Sequence, residues 1–416
     1  MLKSNIAWMK KNVPSDLKVW KGMIQDIDWS QVAAKTKLSL QRDKDRITAE
    51  FKEFAAMDTS AKIDWLMNGD RHLGYLYKKD AIAFARREWK GLKSVGYDFV
   101  GWLKIWGGML NMVMKDPMSI MLAVFEYHWF ASYLATPAVV DRSVFGRRGK
   151  LLQADFDMWV AITHWAEDLI ANLIMADAKI GGNQKINKRI IMFDEMTMAQ
   201  MMAGFPNLLG IPYQMIPVFM VSEMDQLTLI PYIDAIESYG LPSDTCPLPT
   251  AECGCAVKDE YPMCGQGFIA SSMPCDGSVM ATSFQDRRFS KFMPSYPLCM
   301  PVRYDDEDTT EMAAADMKDC IHWVEGLTGE TWNWDTYFAT MEKMNECTRL
   351  EMEKWEINKT HYPQLVGSSF ELFRKWNYEM DGGLFPEGLK TQRKICKTMM
   401  ETYEKKLPAY VGGYEK

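Results

Sequence analysis

The 416-residue chain is long for a single hydrophobic core, and its 48 basic against 55 acidic residues give a net charge of −7, which offers no reason to expect nucleic acid or an anionic membrane as the main partner. Hydrophobic residues at 48% exclude general disorder. The 33 methionines and 15 tryptophans imply large, adaptable apolar surfaces, in a core or against another subunit.

The first twenty residues mix lysines and tryptophans with no uninterrupted apolar run before a small-residue cleavage site, so no signal peptide is expected. A reducing cytoplasm is the corresponding expectation, with the nine cysteines serving as thiols or metal ligands rather than as a disulfide framework. From 15 to about 177 the spacing of apolar residues predicts helices, punctuated at Asn68-Gly69, Asp116-Pro117 and Thr136-Pro137. The stretch 117–140 is the most apolar, yet Glu126 and His128 fall inside it, so a buried helix pair is expected and no membrane span. Gly181-Gly182-Asn183 ends this part.

Short apolar runs at 190–193, 216–221 and 267–271 then alternate with helix-like stretches at 195–203 and 227–239, which predicts a parallel sheet. The run 296–302 carries Pro297 and Pro301 and fits a strand edge or a strand leading into a site loop. Helices are predicted again at 311–327, closed by Thr328-Gly329, and at 334–359 and 389–406. The expected fold is α/β with large helical portions: an all-helical domain over 1–187 suited to subunit docking, then a Rossmann-like parallel-sheet domain with C-terminal helices over 188–416.

Six cysteines, Cys246, Cys253, Cys255, Cys264, Cys275 and Cys299, share one stretch rich in proline and glycine. Convergent thiolates on loops beside strands suit a metal centre. The spacing lacks the paired two-residue gaps of zinc ribbons and the tight four-cysteine run of bacterial ferredoxins. Residue pattern alone leaves iron-sulfur, zinc and unligated thiols open. Cys299, inside an apolar run, reads as core, as do Cys320, Cys347 and Cys396 in helical segments.

The block Ile236-Glu237-Ser238-Tyr239-Gly240-Leu241-Pro242-Ser243-Asp244-Thr245-Cys246 and the element Phe268-Ile269-Ala270-Ser271-Ser272-Met273-Pro274-Cys275-Asp276-Gly277 resemble two cysteine-bearing segments of the 2-hydroxyacyl-CoA dehydratase and benzoyl-CoA reductase family. Tyr296-Pro297-Leu298-Cys299-Met300-Pro301-Val302-Arg303-Tyr304 and the helix ending in Thr328-Gly329 are similar to later elements of that family, so the resemblance runs from about 188 to 416. It implies Cys246 and Cys275 as ligands of a [4Fe-4S] cluster, with Cys253, Cys255 and Cys264 as further candidate ligands. It also implies a CoA-thioester substrate, a second subunit of the same family and a separate ATP-hydrolysing iron-sulfur activator. The activity would be oxygen-sensitive: low-potential electrons passed to the thioester, for 2-hydroxyacyl-CoA dehydration or aromatic acyl-CoA reduction. No residue is assigned a catalytic role.

Three departures accompany the resemblance. The chain ends about where the family's second α/β domain would begin, which implies either that the second half is a separate polypeptide or that one cluster iron is left for another cysteine, a water or substrate. A serine-rich turn of the family is replaced by Met192-Phe193-Asp194-Glu195, and an acidic residue by Pro212-Tyr213-Gln214. The segment before about 187 has no counterpart. Two alternatives follow: a cluster-free structural subunit of such a complex, or a double-cluster reductase of small molecules. Elsewhere, His164 beside Glu167 and Asp168, and His322, read as ordinary helix histidines. Arg303 reads as a loop arginine that could face CoA phosphates, and the acidic run 305–308 as a helix N-terminal cap. Neither short basic stretch has phosphate-loop spacing, so ATP hydrolysis is expected on another protein.

Overall fold

The computed structural model describes residues 29–68, 77–78, 92–143, 150–180, 189–194, 199–212, 226–242, 244–271, 275–289, 293–299, 301, 306–364 and 385–407. Seven helices precede the first strand among these: α1 (Trp29–Ala56), α2 (Thr59–Asn68), α3 (Leu92–Lys115), α4 (Pro117–Glu126), α5 (Phe130–Leu134), α6 (Thr136–Ser143) and α7 (Lys150–Ala176). Asp116 caps α4 by accepting from the Ser119 amide, with Pro117 in the first turn where its missing N–H costs nothing. The stretch expected to form a buried helix pair is α4 to α6, with Tyr127, Trp129, Phe130 and Tyr133 fully buried. No described helix is long and apolar enough to cross a membrane. Helix α3 crosses α7 closely because Gly101 lies under Phe156, and Gly108 under His164 and Glu167.

Strands β1 (Arg189–Phe193), β2 (Leu208–Pro212), β3 (Gly267–Ser271) and β4 (Ser295–Leu298) form a parallel sheet in the order β2-β1-β3-β4. Its inner strands are nearly continuous apolar runs because both faces are covered. The period of two sorts their side chains. Ile190, Met192, Leu209 and Phe268 join the core shared with the N-terminal helices, and Ile191, Phe193, Leu208 and Ile269 join a second core. That second core is closed by Cys320 and Val324 of α11 (Glu307–Thr328) and by Trp332.

Helices α8 (Ile230–Glu237), α9 (Pro247–Val257) and α10 (Asp276–Phe289) surround β3 in sequence, and α12 (Trp334–Asn358) and α13 (Pro386–Glu404) follow α11. As expected, Asp306 caps α11, accepting from the Thr309 amide at 2.6 Å, and Gly329 closes it with φ 73°.

Several expectations need correction. The open cysteine loop is helical over Pro247–Val257, because prolines in a first turn are compatible with a helix. The segment 227–239 is split into a 3-10 turn, Gln226–Leu229, and α8. Of the helix-like stretch 195–203, the described part is another 3-10 turn, Ala199–Met202. The run 216–221 and Arg303 lie outside the described residues. Strand β2 was unmarked in sequence, because Gly210 and Pro212 read as turn residues. Gly210 sits where a Cβ would press on Met202 and Phe193, and Pro212 is tolerated at a sheet edge.

The helical segment and the sheet are pinned together by buried polar contacts. Trp129 Nε1 donates to the Glu260 carbonyl at 2.9 Å, the His128 amide to the Glu260 carboxylate at 2.8 Å, and the Met263 amide to Asp177 at 2.8 Å. Lys179, 1% exposed, pairs with the buried Glu126 at 2.5 Å, and Arg46 binds that carboxylate too.

Candidate functional site

The strand order reverses between β1 and β3, so a crevice is expected outside the carboxyl ends of these strands. Asp194, one residue past β1 and 1% exposed, ties this edge together. Its carboxylate accepts from the Ser271 amide, from Ser271 Oγ at 3.0 Å and from Thr282 Oγ1 of α10 at 3.4 Å. Its own amide donates to the Ile269 carbonyl at 3.1 Å. Sequence reasoning had noted Asp194 as part of an altered turn and missed its bracing role. The available signal was a carboxylate directly after an apolar strand.

Cys275 stands four residues beyond β3 and opens α10, its carbonyl accepting from the Val279 amide at 3.0 Å; it is half-buried. Cys246 is the N-cap of α9, with φ −50° and ψ 126°, and is exposed. Its carbonyl accepts from the Thr250 amide at 3.2 Å and from Thr250 Oγ1 at 2.8 Å. The first turns of α9 and α10 touch: a Cβ added to Gly277 would lie 2.7 Å from Pro249 Cγ and 4.0 Å from Cys275 Sγ. Cys246, three residues before Pro249, and Cys275, two before Gly277, therefore stand at the same end of adjacent helices. Cys253 and Ala281 with Ile236 pack α8, α9 and α10 together, and Gly254 rides directly on the Tyr232 carbonyl. Gly240, φ 95°, ends the turn after α8 and starts the path to Cys246.

The other candidate thiols sit differently. Burial pushes Cys253 up to about 12, aided by Glu252. Cys255 is fully buried in the main core, and burial together with Asp177 holds Cys264 well above the usual thiol range. Cys320, Cys347 and Cys396 are packing residues, each pushed to about 12 first by burial. Cys299, expected in the core, is exposed just past β4, its amide bonded to Asp316 at 2.5 Å. The sequence reading puts Cys299 inside the strand; the paired part ends at Leu298. Among the described residues no three His, Cys, Asp or Glu side chains form a metal-holding group. His164 is an exposed histidine whose Nε2 lies 2.8 Å from the Lys104 carbonyl, and His322 pairs with Glu325 at 2.8 Å.

No curated protein matches the chain. Residues 226–409 match the family model described as 2-hydroxyglutaryl-CoA dehydratase, D-component. The match runs from the turn before α8 past the end of α13 and contains both edge cysteines with the helices that carry them. Over residues 226–409, then, the chain is similar to the 2-hydroxyglutaryl-CoA dehydratase D-component family.

Proposed function

We propose that the chain is a component of an oxygen-sensitive dehydratase acting on a CoA thioester, in which Cys246 and Cys275 supply two thiolates to a [4Fe-4S] cluster. The observation that carries this reading is the placement of both sulfurs at the N-termini of two touching helices beside the sheet's carboxyl edge. The donor chemistry fits: thiolates are the ligands iron-sulfur clusters take, and the positive end of a helix favours the thiolate over the thiol. Cys253, Cys255 and Cys264 are held in protein packing, so the remaining ligands would come from another subunit, from water or from substrate.

When bound, such a cluster supplies low-potential electron transfer. The chain's own residues do the rest. Asp194 fixes the exit of β3 and the second turn of α10, and so the position from which Cys275 projects. In the first turn of α9 Pro247 and Pro249 carry no N–H and the Thr250 amide is bonded to the Cys246 carbonyl, so the donors for an anionic group in the crevice come chiefly from the start of α10. A second family subunit and a separate ATP-hydrolysing activator complete the proposal.

Anaerobic purification with iron and sulfide analysis, and EPR of the reduced protein, tests it. Iron that falls in Cys246→Ser and Cys275→Ser supports the reading. A cluster-free structural subunit is the second reading, favoured by the absence of a three-donor group among the described residues. It requires unchanged metal content of the intact complex in both variants. A double-cluster reductase would need the thiols of Cys253, Cys255 and Cys264, which are buried or raised by burial.

A further inference from the structure

Helix α3 is apolar on both sides. Gly101, Ile105 and Met112 face the core. On the opposite side Leu92, Val95, Phe99, Leu103, Leu110 and Met114 recur at helical spacing, and every one is at least 40% exposed. A helix with two opposite apolar faces, only one of them covered, leaves the other for a partner. With about 150 Å² for each fully exposed side chain, the low end of the aromatic range because all but Phe99 are smaller, and with Met118 and Met121 of α4, the stripe presents roughly 700 Å². That exceeds the ~300–600 Å² of the largest apolar patch on an ordinary monomer, and it approaches the ~800 Å² that each partner buries in a standard stable interface.

We propose that the cover is a second copy of this chain, docked through an antiparallel pairing of the two α3 helices that crosses at Leu103. A two-fold interface must be complementary to itself, and the stripe is. Gly96 and Gly107 lie on the outer side, with nothing within 4 Å of a Cβ added to either. An antiparallel crossing at Leu103 sets Gly96 level with Leu110 of the second copy, Gly107 level with Phe99, and Leu92 level with Met114. Each gap thus stands level with a large side chain. Lys93 and Lys104 lie to one side of the stripe, where their charged ends stay in water. Helix α3 lies outside residues 226–409, so this pairing stands independently of any cluster.

The test is sedimentation velocity and light scattering on the full chain, alone and with any copurifying subunit, at micromolar concentration. Two copies per particle are expected. The Phe99→Glu/Leu103→Glu double variant should weaken self-association at least ~100-fold, since two anchors at an interface centre are lost, while its circular dichroism stays that of the folded parent because both residues are exposed. Mild oxidation of Leu103→Cys should join the peptide containing position 103 to itself. The proposal is overturned by a single copy per particle, or by a double variant that still pairs. A different polypeptide held by the stripe, or the monomer sedimenting with anionic phospholipid vesicles in a Phe99-dependent way, would equally overturn it.

Discussion

Replacing Gly254 with alanine sets helix propensity against a backbone collision. Alanine in a helix interior is worth about 1 kcal/mol over glycine. At position 254, however, the new methyl would occupy the space of the Tyr232 carbonyl oxygen, and backbone cannot step aside as a flexible side chain does. Helices α8 and α9 would have to separate, disturbing the packing of Ile236, Cys253 and Ala281. Overpacking of this kind costs about 1–3 kcal/mol, more where backbone must move, so a net loss of roughly 2 kcal/mol is expected. Gly326→Ala in α11 is the control: nothing lies within 4 Å of its added Cβ, and a gain of up to about 1 kcal/mol is expected. Paired urea or thermal unfolding curves measure both. A Gly254→Ala protein as stable as the parent would refute the close approach that positions the N-terminus of α9.

Glu167 is buried, with neither carboxylate oxygen hydrogen-bonded, and burial raises its pKa to about 8. Between the ordinary carboxylate range and pH 8 the folded state holds a proton that the unfolded state releases. Stability therefore falls as pH rises through that window, by roughly 4–5 kcal/mol, and Glu167→Gln should flatten the loss in unfolding curves from pH 5 to 9. Lys179→Met leaves the buried Glu126 with Arg46 alone and should cost about 3 kcal/mol of unfolding free energy; no change would deny that the pair is buried. Asp194→Ala strips the acceptor from the Ser271 amide, Ser271 Oγ and Thr282 Oγ1. A loss of about 2–4 kcal/mol is expected, with faster exchange of the Ser271 amide; unchanged exchange there would remove the bracing role. In the metal-free folded protein, iodoacetamide should label Cys246 and Cys299 first, and Cys253, Cys255, Cys320, Cys347 and Cys396 only after unfolding, as peptide mass spectrometry would report.

The parallel sheet was legible where strands are uninterrupted apolar runs, as at 190–193 and 267–271, because both faces are buried and no polar alternation confuses the pattern. It was illegible at β2, where the strand depends on a glycine that fits beneath neighbouring side chains and a proline at an edge, features that local pattern assigns to turns. The helical α9 escaped notice for a related reason. Its prolines fall in the first turn and its glycine at a helix crossing, so every supposed breaker has a tertiary explanation. Cys246 and Cys275 are singled out only by the resemblance of their flanking residues, and the structure sets each at the start of a helix. That Cys253 and Cys255 face into packing required the turn of α9, and that Cys299 is exposed required knowing where β4 ends.

Iron bound per folded chain, measured by 57Fe Mössbauer spectroscopy on anaerobically isolated protein with its natural partners, bears most directly on the role of the two edge sulfurs. Signals of a cubane cluster, lost or converted when either Cys246 or Cys275 is replaced by serine and retained in Cys253→Ser, are the expected result. A spectrum indifferent to both edge substitutions, or a well-folded active complex with no iron, would contradict it.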